Sequence, residues 1–186
     1  MKKGILIIAV ISMMSFSGFS QEKKSLSDEM ATLMTHMKKY TLELAHQMNQ
    51  DQYEYRPAES KETRTFAQHF KHIKNFMGFQ LSLLKQEQVD FRKILPKNKA
   101  YENSSLSKEQ IISDLSDQFD EVINFFESTS DKNLERTYQF VWEEERPRRS
   151  RLLITMALRD HISHHRAQAI IYLRENGIKP AQYQRY

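Results

Sequence analysis

Seven histidines, at positions 36, 46, 69, 72, 161, 164 and 165, are the side chains of this sequence best suited to chemistry. His161 and His165 are four residues apart, a spacing that stacks side chains one turn apart on one helix face, within reach of a common metal ion. They fall on the line Ile154, Leu158, His161, His165, Gln168 and Tyr172, which recurs at helical steps. Two imidazoles thus stand where a helical core would place leucine, and burying them without a partner costs free energy. A divalent metal is one such partner; a hydrogen bond to Gln168, Tyr172 or a backbone carbonyl across the fold is another. His72 shares the apolar flank of a second helical stretch with Phe76 and Phe79, which makes it the candidate third ligand. A competing set pairs His69 with His72 and His161 with His164, each spaced by three. His164, however, leaves the stripe of Leu158 and Tyr172. His36 and His46 read as surface or rim residues.

Three neutral imidazoles leave coordination positions open, the arrangement of a reactive rather than a purely structural site. Such a site lowers the pKa of a bound water to about 7, which suits hydrolysis. It also binds and ionises a thiol, which suits transfer. Gln168, Tyr172 and Trp142 are candidates for the surrounding pocket, with packing as their ordinary role. Asp160 and Arg166 flank the ligands but project from other faces of the helix.

Composition removes other classes of chemistry. The absence of cysteine excludes disulfides, thiolate nucleophiles and iron–sulfur ligation, so a metal must be held by His, Asp or Glu. Only four glycines occur, Gly4, Gly18, Gly78 and Gly177, too few and too scattered for a phosphate cradle or a dinucleotide fingerprint. The formal net charge is +4, with 28 basic against 24 acidic residues. Two of the lysines, Lys2 and Lys3, lie in the N-terminal leader, and the remaining balance is too even for a nucleic-acid footprint.

The elements that position the histidines are helical. Leu26, Met30, Leu33, Met37, Tyr40, Leu44 and Met48 follow steps of three and four, which predicts a helix with Ser27 as its N-cap. A turn segment, 51–63, carries Arg56-Pro57. A second helix is expected from about Thr65 to Gln86, and residues 88–105, with Pro96 and Ser104-Ser105, read as a polar loop. Ser107 and Gln110 form a capping box ahead of a third helix through Ile111, Leu115, Phe119, Val122, Ile123 and Phe126. Tyr138, Phe140 and Trp142 alternate with other residues, an extended piece or hairpin arm. Arg146, Arg148, Arg149 and Arg151 follow Glu143, Glu144 and Glu145 in a charged loop. The last helix runs from near Ser150 to Gly177, with Pro180 beyond. The expected fold is all-α: an up-down four-helix bundle with a short irregular or extended segment before the last helix.

Residues 1–20, MKKGILIIAVISMMSFSGFS, have two lysines, an apolar run shorter than the ~20 residues of a spanning helix, and small residues before Gln21. They read as a secretory signal peptide, leaving residues 21–186 as one exported domain, periplasmic or secreted, with no membrane contact after cleavage.

His161-Ile-Ser-His-His165-Arg166-Ala167-Gln168, followed by Tyr172-Leu173-Arg174, Gly177 and Pro180, resembles the C-terminal motif of the DinB-like metalloprotein superfamily. Arg64-Thr65-Phe66-Ala67-Gln68-His69-Phe70-Lys71-His72-Ile73 resembles its second-helix motif, with His72 as the matching histidine, and Tyr55-Arg56-Pro57 resembles its usual link after the first helix. The similarity spans about residues 27–180. It implies a four-helix bundle in which His72, His161 and His165 bind a divalent metal ion, zinc or nickel. It also implies a metal-dependent hydrolase or a thiol-dependent transferase acting on a small molecule, and a homodimer. An exported protein meets little reduced thiol, which weighs against transfer. A non-enzymatic metal- or ligand-binding bundle fits the same residues.

Overall fold

The computed structural model describes residues 24–57, 62–140, 143–145 and 147–183. The leader 1–20, Trp142 and Arg146 lie outside the described residues. Four long helices form the body: α1 (Leu26–Gln47), α2 (Phe66–Leu84), α4 (Lys108–Ser128) and α6 (Arg151–Glu175). Two shorter ones, α3 (Phe91–Glu102) and α5 (Asp131–Leu134), and an antiparallel pair of three-residue strands, β1 (Thr137–Gln139) and β2 (Arg148–Ser150), fill the connections.

Each long helix starts on a side-chain cap. Ser25, Thr65 and Ser107 make reciprocal capping boxes with Asp28, Gln68 and Gln110, and Ser150 accepts from the amide of Leu153. The cap of α1 is therefore Ser25, two residues before the expected Ser27. Ser27 is buried, where its amide and hydroxyl donate to Asp131 at the start of α5. Gly177, at φ 72°, ends α6 in the left-handed conformation that glycine adopts without strain.

The helices pack in the cyclic order α1, α4, α2, α6. Lys38 meets Asp120, and Lys108 at the start of α4 reaches the carbonyls of His46 and Met48 at the end of α1, so these two helices are antiparallel. His69 opposite His165 and the Arg64 carbonyl opposite the Tyr172 hydroxyl make α2 and α6 antiparallel as well. By contrast, Lys71 lies beside Ser104, and Gly78 lies beside Gln118, whose Oε1 would be 2.9 Å from a Cβ at that position. Hence α2 and α4 run parallel. The expected bundle is present, and its helices run up, down, down, up rather than in strict alternation, because the long α2–α4 connection returns along the molecule.

That connection is the main correction to the sequence reading, for it contains the 12-residue helix α3 where a polar loop was expected. Asp90 caps it, and Pro96 stands within it. No residue of α3 is buried, so its apolar positions resemble a loop in composition. The core is formed by Met34, Met37 and Leu44 of α1, Phe70, Ile73 and Met77 of α2, Leu115, Phe119 and Val122 of α4, and Leu158, Ile162 and Leu173 of α6. Each such side chain contributes about 1.5–3 kcal/mol by burial, and the methionines of α1 are packing residues among them. The alternating segment before α6 is the expected hairpin, tied to the end of α2 by the Tyr138 hydroxyl on the Glu87 carbonyl. In the charged loop Arg149 is paired bidentately with Glu143, and Arg151 is buried. No helix among the described residues is long and apolar enough to cross a membrane.

Candidate metal centre

The antiparallel pairing of α2 and α6 brings His72 to His161 and His165. One ring nitrogen from each lies within 4.8 Å of the other two, and the three ring centroids are 4.6–5.0 Å apart. His161 and His165 share a face of α6 through their four-residue spacing, and the helix-two register places His72 across from both. Among the described residues these three form the histidine cluster able to hold a metal ion. His164 is exposed and His46 is exposed on α1, so neither joins it; His36 is half-buried.

The outward nitrogens of two of the three imidazoles are engaged. His72 Nδ1 donates to Glu102 Oε1 at 2.5 Å, and Arg64 Nε donates to the other oxygen of the same carboxylate at 3.1 Å. Burial pushes the Glu102 carboxyl up, but its bonds from His72 and Arg64 outweigh this and hold it below the ordinary range. With its Nδ1 proton committed to Glu102, His72 presents Nε2 as its lone pair. His165 Nδ1 lies 3.2 Å from Gln168 Oε1 and 3.1 Å from His69 Nδ1. The amide oxygen can only accept, so His165 carries its proton on Nδ1 and also has Nε2 free. His161 Nε2 is buried and has no hydrogen-bond partner, while its ring stacks on Phe76 at 3.6 Å and 16°. A buried imidazole nitrogen without a partner is the feature a metal ion satisfies.

Burial keeps two of the three imidazoles uncharged. Burial, reinforced by His72 and the neighbouring imidazoles, lowers His165 to about 2 and His161 to about 4. Burial and Arg64 lower His69 to about 4. Neutral imidazole is the form that coordinates metals, so no proton has to be displaced at neutral pH from these groups. The donor set therefore fits a divalent ion with affinity for imidazole.

A family model described as the DinB superfamily matches residues 33–169. The chain belongs to this superfamily. A solved structure of a DinB-like protein from Bacillus cereus aligns with a TM-score of 0.67 at 16% identity, covering 84% of this chain and 97% of that one. A second, a DinB-like protein from Bacillus subtilis, aligns at 0.64 and 18% identity, covering 85% and 99%. At these identities the likeness is one of fold. No curated protein sequence matches significantly.

Within the superfamily fold, the residue that sequence reasoning missed is Glu102; Arg64 stood out only as part of the second-helix motif and His69 only in the competing histidine set, neither with the contact it makes here. Glu102 is the carboxylate that orients a candidate ligand, and it sits on the helix read as loop. Asp90 followed by Phe91, Ile94, Leu95, Asn98 and Glu102 has the steps of a capped amphipathic helix, but Pro96 masks them. Gln168 does touch the site, whereas the Tyr172 hydroxyl is committed to the Arg64 carbonyl. Asp160 is exposed, and Arg166 is buried with its guanidinium over the Tyr40 ring, so both lie off the site as expected.

Proposed function

We propose that this chain is a metal-dependent hydrolase in which His72, His161 and His165 hold one divalent ion, zinc or nickel. The observation that carries the reading is the convergence of three imidazoles with Glu102 fixing His72 from behind and His161 Nε2 buried without a partner. A divalent ion at an open three-imidazole site supplies Lewis acidity, lowering the pKa of bound water to about 7 and polarising a carbonyl. Glu102 and Arg64 hold the His72 ring and its tautomer, Gln168 holds those of His165, and Phe76 fixes the plane of His161.

A cleft of about 780 Å³ meets the cluster at His72 and Phe76 and runs beneath α3. Phe76, Phe79, Phe91, Ile94 and Leu95 form its apolar side, and Arg64, Asn75, Asn98 and Glu102 its polar side. This supports a small-molecule substrate with an apolar, ring-bearing part under α3 and a polar reacting end toward His72. The leader supports action after export, in a periplasmic or secreted setting where thiol transfer lacks its cosubstrate. Elemental analysis of the untagged protein beside His165→Ala tests the reading. About one zinc or nickel per chain, lost in the variant, is expected, followed by metal-dependent cleavage of aryl esters or amides. No metal in either protein after dialysis against both ions overturns it.

A further inference from the structure

His69 lies beside the candidate centre yet is not one of its three ligands. It is only 3% exposed and sits one turn before His72 on α2. Its Nδ1 stands 3.1 Å from Nδ1 of His165, across the interface of α2 with α6. Two ring nitrogens at this distance share one proton, so one donates and the other accepts. His165 Nδ1 also faces Gln168 Oε1 at 3.2 Å, and an amide oxygen only accepts. The proton therefore belongs to His165, and His69 Nδ1 is the acceptor. A neutral imidazole that accepts at Nδ1 carries its hydrogen at Nε2. In His69 that nitrogen is buried and has no hydrogen-bond partner. An unsatisfied buried donor costs free energy, whereas leucine at the same core position would bury no polar atom.

We propose that His69, given the three-histidine centre above, is its positioning residue: it accepts the Nδ1 proton of His165 and so holds Nε2 of that ring toward the ion. Gln168 and His165 share α6, so their bond fixes the ring only relative to its own helix. His69 fixes it relative to α2, the helix that supplies His72. The bond thereby sets the separation of the ligands as well as a tautomer. An acceptor behind a ligating imidazole also raises the basicity of the nitrogen that faces the metal. His69 is itself held, since its ring meets that of Tyr172 in a T at 5.3 Å and the Tyr172 hydroxyl donates to the Arg64 carbonyl. His72 is thus backed by Glu102 from α3, and His165 by His69 from α2. The three-residue spacing of His69 and His72 serves one holder and one ligand rather than two ligands.

Ring-nitrogen NMR of the isotope-labelled, metal-free protein reads the hydrogen bond directly. His165 should be the Nδ1–H tautomer and His69 the Nε2–H tautomer, with a nitrogen–nitrogen coupling between their Nδ1 atoms. A proton on His69 Nδ1 overturns the proposal, as does loss of the His165 Nδ1 proton when zinc is added. Competition with a chelating dye reads the consequence. His69→Leu should weaken zinc affinity about tenfold or more, while the metal-free variant melts at or above the wild-type temperature by circular dichroism. His69→Asn, whose Oδ1 takes the place of Nδ1, should bind zinc more tightly than His69→Leu. Unchanged affinity in His69→Leu, or an asparagine variant no better than the leucine one, overturns the positioning role alone. A metal-free leucine variant that melts below the wild type makes His69 a packing residue and overturns it as well. Wild-type protein that binds neither zinc nor nickel overturns the metal reading and this role together.

Discussion

Replacing His161 by leucine should raise the stability of the metal-free protein and lower that of the metal-loaded protein, reversing their order. His161 occupies a core line between Leu158 and His165, and its Nε2 is buried without a partner. Such a group costs about 1–3 kcal/mol. Its ring stacks on Phe76 at 3.6 Å, an arrangement worth roughly 0.5–1.5 kcal/mol that leucine would forfeit. The net gain for His161→Leu without metal is then about 1 kcal/mol, or a melting temperature about 2–4 °C higher for a domain of this size. Metal at 100 times its Kd stabilises the wild type by about 2.7 kcal/mol, and the variant by little or nothing, which outweighs that gain. Thermal unfolding followed by circular dichroism, in chelator and then in zinc, reads both effects. A variant that melts below the wild type in chelator would refute the claim that this histidine is kept at a cost to stability. Equal melting of the wild type with and without metal would refute its compensation by an ion.

Three further outcomes follow from the geometry. Glu102→Gln keeps a hydrogen-bond acceptor for His72 but removes the carboxylate charge and one of the acceptors of Arg64, and should weaken metal affinity by about 10–100-fold in competition with a chelating dye; unchanged affinity would remove Glu102 from the site. The metal-free protein should lose stability on acidification. His69, His161 and His165 are held below the ordinary histidine pKa in the folded state, so their contribution is fully present above about pH 6.5 and is lost as pH falls, toward about 4 for His69 and His161 and about 2 for His165, at up to about 1.4 kcal/mol per pH unit for each; a urea midpoint constant from pH 7 to 4.5 would contradict this. Asp131→Ala removes the acceptor of the Leu26 and Ser27 amides and of the Ser27 hydroxyl and should cost about 1–2 kcal/mol in urea unfolding, without changing metal content.

The parts of this molecule that were legible in the sequence are those whose pattern repeats along a single helix. Periodicity located all four long helices, Ser107 and Gln110 located the start of α4, and Gly177 located the end of α6, because each signal is local. His161 and His165 were legible for the same reason, since one helix fixes their relation. His72 needed a second helix in register, and the family resemblance supplied what spacing could not. Glu102 depends on a third element whose helix buries nothing. An amphipathic helix that faces a cleft instead of a core has no reason to show a full hydrophobic stripe, and α3, with Leu95 60% exposed, shows only part of one. The direction of α4 was hidden because parallel and antiparallel partners bury the same stripes. The residues that hold a candidate ligand from behind are thus set by contacts between elements, while the candidate pair His161 and His165 is set within one.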